Sequence, residues 1–487
     1  MAVINQFPRN DNEVLYFLDE PFVIGKFVRK DSLYVSIIFC FSILSRFLHF
    51  HIPTHRGFDE FYFGEYISYY IKRTYFWDIH PPLSKMIIAG MAYLGGYDGS
   101  IDFRFPKKDT FDDSMYFFLR SIPAYFSSFI APLTYICARL YGFNTLSCLF
   151  VSVFVMTDLM LIAESRLILT DALLLFFVVL SMFYVPFYIS RYSTVRLLIQ
   201  SLFLSFAVCT KWTSGGVVIF VMFCIGFDML KRFPMNTDLV FMYLLRIFTI
   251  CIIIISFVIS MCSFHMSIFL YGSDFRSGLQ SQMNSSLIYP NETYDPLKRN
   301  NAPNFFIKAF DNIYSLFHYS ISESNLSVES KPYQWPLGQY RWMCFSHTRE
   351  ELTVAFGQIS NWTVCFVITM IATLKMLYSI YRHNMKKEYC RTIIFLVGFW
   401  ASYGPFYLVK RAVYTYHYLI PQYFSIFVSA AWINDTLHNT TKGFLFVFLI
   451  FTSISGYLFW SPLVYGYPVK DTNFRIWSRK WIPFLLE

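Results

Sequence analysis

Apolar residues along this chain fall into long runs instead of the every-third-or-fourth or every-second spacing of surface helices and strands. Runs long enough to cross a bilayer lie at 32–50, 120–138, 145–163, 168–189, 195–210, 213–230, 240–262, 361–380, 391–408, 417–433 and 443–461. About 20 residues of helix span a hydrocarbon core, and only helices or closed barrels satisfy their backbone there. The pattern therefore predicts an all-α polytopic membrane protein with about eleven transmembrane helices.

The polar gaps set the orientation. With a cytoplasmic N-terminus, the cytoplasmic side receives Lys26, Arg29, Lys30, Arg139, Arg191, Arg196, Lys231, Arg232 and the cluster YRHNMKKEYCR around Lys386 and Lys387. Lys and Arg concentrate in cytoplasmic loops, so this assignment is favoured over its inverse. The chain then divides into a cytoplasmic N-terminus (1–31), an N-terminal transmembrane module (32–265) carrying a lumenal loop at 51–119, a large lumenal loop (266–360), C-terminal transmembrane helices (361–461) and a lumenal C-terminus (462–487). The first apolar run, Ser32–Leu48, reads as an uncleaved signal anchor.

Asn284, Asn291, Asn325 and Asn361 begin N-x-S/T sequons on the side assigned to the lumen, and are candidate N-glycosylation sites. Asn434 and Asn439 begin two more on the cytoplasmic side, where they would go unused. The first lumenal loop is aromatic and amphipathic. Pro81 and Pro82 suit the first turn of a short helix, and Ser84–Leu94 is too short to cross, so interfacial helices are expected.

Composition agrees. The 487 residues are 56% hydrophobic and 15% charged, well below the roughly 25% charged of soluble domains. The net charge of +9 is scattered between apolar runs without a basic helix or finger motif, which argues against nucleic acid as a partner. Most of the ten cysteines sit inside apolar runs and none forms a CxxC pair, so neither a disulfide framework nor a metal site is suggested.

Chemistry-bearing residues gather at the lumenal ends of the spans. Asp59 and Glu60 follow the first span, and Glu65, Asp78, His80 and Lys85 lie in the same loop. Two adjacent acids alone more often solvate a loop, but a hydroxyl nucleophile needs a base and a partly desolvated carboxylate can serve. Arg120 opens the second span, where it can pair with Asp59 or Glu60. Arg166 in AESRLILTD, Lys211 in KWTSGG, and Lys410, Arg411 and His417 in LVKRAVYTYHYLIPQYF also reach the lumenal face, against the positive-inside trend. Cations placed there suit a departing phosphate; the alternative is ion pairing within the bundle. Trp335 and Trp342 in KPYQWPLGQYRWMCF suit a sugar face or a membrane surface equally.

The string FDEFYFGEYISYYIKRTYFWDIHPPLSKMIIA resembles the first lumenal loop of the protein O-mannosyltransferases, a family of the GT-C membrane glycosyltransferases. Matches follow in family order at Arg120 with Pro123, SRLILTDALLLFF, KWTSGG, FRSGLQSQMNSS, YQWPLG and KRAVYTYHYLIPQYF. The resemblance implies a GT-C bundle in the endoplasmic reticulum membrane that transfers mannose from dolichyl-phosphate mannose to Ser or Thr hydroxyls of acceptor proteins, with inversion and without a cofactor or metal. It implies Asp59 as base, Glu60 beside it contacting the acceptor, and Arg120 supporting both. Arg166, Lys211, Lys410 and Arg411 become candidates for the donor phosphate, and His80 and His417 for the pocket. A homodimer or a heterodimer with a related mannosyltransferase is expected.

The chain departs from the family's usual pattern in three places. Its large loop is too short for the MIR β-trefoil of animal and fungal members. Glu164 stands where relatives often have Gln, and Tyr416 where they often have His. Three other readings stay open: a GT-C enzyme acting on a lipid-linked glycan, a transporter, and a catalytically idle partner subunit. Polar groups gathered at one face and the lack of inverted repeats weigh against the transporter, and intact Asp59, Glu60 and Arg120 against the idle subunit.

Overall fold

The fold is described from a computed structural model covering residues 29–104, 114–232, 236–273, 281–290, 292–293, 297, 302–321, 330–337, 342–347, 352–383 and 389–466. Each apolar run is carried by a helix or a helix pair: α1 (Arg29–Phe47), α4 and α5 (Ser114–Ser128, Ile130–Leu140), α6 and α7 (Thr145–Met156, Leu159–Ser165), α8 (Asp171–Ser190), α9 (Thr194–Val208), α10 (Gly215–Leu230) and α11 (Thr237–Ile268). After the large loop come α14 (Ile359–Tyr381), α15 (Cys390–Tyr403), α16 (Leu419–Thr436) and α17 (Asn439–Tyr465). Length and composition alone qualify six described segments as membrane spans, or seven if the bent α6–α7 pair is one. Others fall short for a plain geometric reason. At about 1.5 Å per residue, the 15 residues of α9 and 14 of α15 reach less than the roughly 30 Å of a hydrocarbon core. The chain is a multi-pass membrane protein in which α11, α14 and α17 are mostly exposed while α8 and the α4–α5 pair are mostly buried.

The loop between α1 and α4 forms two short helices, α2 (Glu60–Lys72) and α3 (Leu83–Leu94), with Pro82 at the N-cap of α3. The loop is tied to the large one by backbone pairing: Leu270 N–H donates to Arg73 O (2.8 Å) and Tyr75 N–H to Tyr271 O (2.8 Å). The large loop also contains α12 (Ser281–Ser286), α13 (Phe305–Ile321) lying along α11, and an antiparallel hairpin of β1 (Met343–His347) and β2 (Leu352–Ala355). Every residue of β2 is buried. The described part of this loop therefore holds a single two-stranded sheet.

A polar break inside the bundle decides where the site residues point. At Thr157–Asp158 the helix bends by 50°. Asp158 caps α7, accepting from Leu161 N–H (2.9 Å), and also takes the Trp362 indole N–H (2.5 Å). Asn361 donates to Ser453 Oγ (2.9 Å) and Thr157 Oγ1 (3.3 Å) from α14. With polar atoms this deep, each must find a partner, and the network locks three elements together.

Two sequence expectations are corrected here. Asn361 is 1% exposed and engaged in that network, so it is a helix-packing residue and no acceptor for a glycan. Arg166, expected at a phosphate, is instead taken up by backbone carbonyls. Its guanidinium donates to the carbonyls of Arg46 (3.0 Å) in the last turn of α1 and of Leu48, His49 (2.7 Å) and Ile52 (3.1 Å) in the chain just beyond it, and packs over the Tyr465 ring. The last carbonyls of a helix have no internal donor, and a buried helix end must find some elsewhere. Asn284 accepts from the Tyr289 hydroxyl at the end of α12. Asn291 and Asn325 lie outside the described residues.

Two outcomes follow from these placements. Arg166→Met should cost about 3 kcal/mol or more, because four buried or partly buried carbonyls lose their donor, read as a lowered thermal midpoint in detergent. Peptide mass spectrometry of protein from eukaryotic membranes should find Asn361 unmodified, and a glycan there would refute the bundle position.

Candidate active site

The adjacent acids Asp59 and Glu60 have opposite environments. Glu60, the first residue of α2, is fully buried, and its carboxylate accepts five hydrogen bonds. Arg120 supplies two, from Nε (2.8 Å) and Nη2 (2.7 Å); Tyr116 O–H (2.9 Å), Gly57 N–H (2.8 Å) and Ile168 N–H (3.0 Å) supply the rest. Arg120 in turn donates to Pro53 O (2.6 Å) and His55 O (3.0 Å). The ion pair thus joins the loop after α1, the start of α4 and the turn after α7. The expectation that Glu60 touches the acceptor is corrected by this saturation. It holds architecture, and Arg120 serves it.

Asp59 sits at the N-cap of α2, where its backbone carbonyl accepts from Tyr62 N–H (2.9 Å) and Phe63 N–H (3.1 Å) while its side chain makes no capping bond. The carboxyl is partly exposed. Burial pushes its pKa up to about 6, a further push comes from Asp171 and Asp78, and Lys211 and Arg411 oppose it. An acid titrating near neutrality is matched to base catalysis at physiological pH. Phe58, just before it, adopts a left-handed backbone (φ 42°), a conformation that costs an ordinary side chain about 1–2 kcal/mol. Three rings hold it: Phe345 of β1 stacks on it (5.5 Å), and Tyr414 and Tyr416 meet it edge-on (6.0 and 6.1 Å). Phe58 N–H also donates to Phe345 O (3.3 Å). Strain of this kind persists only where surroundings over-determine it, and it aims the next residue.

Lys211 reaches the same place from the turn between α9 and α10. Its ammonium donates to Asp171 Oδ2 at the start of α8 (2.6 Å) and lies over the Tyr416 ring (5.1 Å). Arg411 is half-buried on the loop before α16, in electrostatic contact with Asp59, His80, Tyr416 and His417. Lys410 beside it is exposed. Both histidines are close but uncharged. Burial first, then Lys211 and nearby cations, depress His80 well below the ordinary range and push His417 down to about 3. Nδ1 of His417 is taken up by the Tyr414 backbone (3.1 Å to N, 3.0 Å to O), and its ring stacks between Tyr416 (4.4 Å) and Trp335 (6.3 Å). The YQWPLG element is fixed to this stack, with Trp335 Nε1–H donating to Ser330 Oγ (2.8 Å) and Ser330 N–H to Val413 O (2.9 Å).

A small cavity of about 10 Å³, room for about one water, lies here, lined by Asp171, Thr213, Tyr416 and His417 and by the apolar Leu174, Leu175, Leu419 and Ile420. The structure therefore brings together Asp59, His80, Lys211, Arg411 and His417, keeps Glu60 and Arg120 as the frame beneath them, and sets Arg166 elsewhere. Sequence reasoning passed over Asp171 as a partner for Lys211. The signal was present in the TDALLL start of an apolar helix, where an acid stabilises the N-terminus and a nearby cation completes it.

The profile for "Dolichyl-phosphate-mannose-protein mannosyltransferase" matches residues 36–271, and that for the "C-terminal four TMM region of protein-O-mannosyltransferase" matches 314–484. Dolichyl-phosphate-mannose–protein mannosyltransferase 4 of Candida albicans is 36% identical over 163 residues, 33% of this chain and 21% of the relative. The enzyme of that name from Schizosaccharomyces pombe is 34% identical over 192 residues, 38% of this chain and 25% of the relative. Protein O-mannosyl-transferase 2 of Danio rerio is 33% identical over 144 residues, 30% of this chain and 19% of the relative. The matched part thus spans about a fifth to a quarter of the curated relatives' length. The solved Saccharomyces cerevisiae protein O-mannosyltransferase Pmt1-Pmt2 complex bound to the sugar donor has the same fold, with a TM-score of 0.80, 16% identity and 92% of both chains covered. Its polytopic GT-C architecture is that of the present bundle. With both profiles matching in order across nearly the whole chain, this protein belongs to the protein O-mannosyltransferase family.

Proposed function

We propose that the protein transfers mannose from dolichyl-phosphate mannose to Ser or Thr hydroxyls of secretory-pathway proteins in the lumen of the endoplasmic reticulum, inverting the anomeric centre. The observation that carries this reading is the Asp59 carboxyl. It makes no capping bond at a helix N-terminus, has its pKa pushed up to about 6, and lies within electrostatic reach of Lys211 and Arg411. The names of the relatives supply the donor and the class of acceptor.

In the proposed step, the acceptor hydroxyl loses its proton to Asp59 as its oxygen bonds to C1 of mannose. The C1–O bond to phosphate breaks from the opposite face, and its electron pair leaves with dolichyl phosphate. Lys211 and Arg411 neutralise the growing phosphate charge, as fixed cations do for a leaving group. His417, uncharged, can offer a hydrogen bond and no countercharge. The tail lies along Leu174, Leu175, Leu419 and Ile420. The displacement uses no covalent enzyme intermediate and calls on no metal or cofactor. The N-terminus is assigned to the cytoplasm and the site to the lumen. The solved neighbour is a two-subunit complex, and we assign this chain a similar pairing with itself or with a related mannosyltransferase.

The purified protein, alone or with a candidate partner subunit, should transfer mannose from dolichyl-phosphate mannose to a Ser/Thr peptide. Transfer to a glycolipid with none to peptide would replace the acceptor class. Because Asp59 acts ionised and protonation removes the base, kcat/KM should fall about tenfold per pH unit below roughly pH 6. A profile flat from pH 5 to 8 would contradict that role. Arg411→Gln should raise the donor KM roughly tenfold or more through a lost charge-assisted contact, with the melting temperature unchanged. An unaltered donor KM would remove Arg411 from the phosphate.

A further inference from the structure

A second group of charges, which the proposed reaction does not use, lies at the far ends of the helices that carry Asp171 and Lys211. α8 begins at Asp171 and α10 just after Lys211, so both run away from the site, and the turns that follow them come together with the start of α11. Asp228, in the last turn of α10, joins the three elements. Its Oδ2 accepts from Tyr192 O–H (2.9 Å) in the α8–α9 turn and from Tyr243 O–H (2.5 Å) in α11, and Arg232 Nε lies 3.5 Å away. The two tyrosine rings meet edge-on at 5.6 Å. Arg246, in the third turn of α11, lies over both, its guanidinium carbon 3.8 Å from the centre of the Tyr192 ring and 4.8 Å from that of Tyr243.

Arg246 has no anion of its own. Among the described residues its N–H donors meet no acceptor, and Asp228 is engaged by the two hydroxyls and Arg232. The surroundings are cationic too: Arg191, Arg196, Lys231, Arg232 and Arg246 stand against Asp228 and the exposed Asp238. That balance favours an anion as the occupant.

The neighbours of Arg246 on α11 say which anion. Leu244, Leu245 and Phe248 are exposed, on a helix mostly exposed along its apolar length, so lipid covers this face. Arg246 follows Thr237 by nine residues, about 13 Å of helix rise. A bare guanidinium at that depth is costly, and such a side chain pairs or reaches for the interface. Helical side chains lean toward the N-terminus, and the position of Arg246 over Tyr243, one turn earlier, carries its donors toward the headgroups. A phospholipid there sets an acyl chain against the exposed leucines and brings phosphate oxygens to the guanidinium, whose paired N–H groups match them.

We propose that Arg246, with Lys231 and Arg232 at the rim, binds the phosphate of an anionic phospholipid in the leaflet opposite the active site. Tyr192 and Tyr243 hold the guanidinium, and Asp228 holds the tyrosines. The site is separate from the transfer reaction and does not depend on it.

The test uses the full-length protein in detergent, with bound lipid counted by native mass spectrometry and the melting temperature followed as lipid is added. Dioleoyl phosphatidylserine and dioleoyl phosphatidic acid should be retained and raise the melting temperature, and dioleoyl phosphatidylcholine far less. Arg246→Gln should weaken phosphatidylserine binding roughly tenfold or more. Arg246→Lys, which keeps the charge over the tyrosines and loses the paired donors, should weaken it severalfold and covers the case in which the Gln variant fails to fold. Arg382→Gln, the same loss of charge at an exposed cation just beyond α14, should bind as wild type does. Undiminished phosphatidylserine binding in either Arg246 variant, or no preference over phosphatidylcholine in wild type, would overturn the inference. So would equal, Arg246-dependent stabilisation by inorganic phosphate at matched concentration, which would make the ligand a free anion.

Discussion

The structure depends on one buried ion pair, Glu60 with Arg120. Neither side chain is exposed, and the pair gathers three separate stretches of chain around one carboxylate. Burying two charges is costly, and their attraction offsets that cost only when every remaining donor and acceptor is met. Here the carboxylate takes five bonds, and Arg120 spends its other donors on the carbonyls of Pro53 and His55. The result is a fixed frame for residues 53–60. Asp59 is the one acid in that segment left with a partly exposed, uncommitted carboxyl. The strained Phe58 is tolerable because this frame lies under it and three aromatic rings close over it.

Charge sorting around this frame explains how one membrane face carries so many ionisable groups. Arg166 and Arg120 are consumed by backbone carbonyls and a buried acid, and so act as structural donors. Lys211 and Arg411 remain near the cavity, the first held ready by Asp171, the second on a half-buried loop. The two histidines are uncharged by burial and by those same cations. The small cavity beside them is lined by Asp171, Thr213, Tyr416 and His417 together with four apolar side chains.

Much of the fold was legible because membrane helices are dictated by composition. The eleven apolar runs coincide with helices or helix pairs, and Pro81-Pro82 marks the start of α3 within a residue. The site was legible at the level of segments and poorly legible at the level of side chains. Asp59 and Glu60 are neighbours of the same chemical type, and only the tertiary fold decides that one faces Arg120 and the other the cavity. Arg166 looked like a phosphate ligand because its neighbours at the lumenal face were cations too. That the carbonyls at and just beyond the end of α1 would draw on Arg166 could not be read without knowing that α7 packs beside it. Asn361 fitted a sequon, yet the bend at Asp158 brings Ser453 and Thr157 to it and takes it out of solvent.

The central claim is that two adjacent carboxylates divide the work, Asp59 supplying the base and Glu60 the architecture. Parallel measurement of mannosyl transfer and thermal unfolding for Asp59→Asn and Glu60→Gln tests it most directly. The account predicts that Asp59→Asn keeps the wild-type melting temperature while losing about 10²- to 10⁴-fold in kcat. It predicts that Glu60→Gln unfolds at markedly lower temperature, as breaking a buried pair costs about 3–5 kcal/mol. A stable, inactive Glu60→Gln beside an active Asp59→Asn would contradict it.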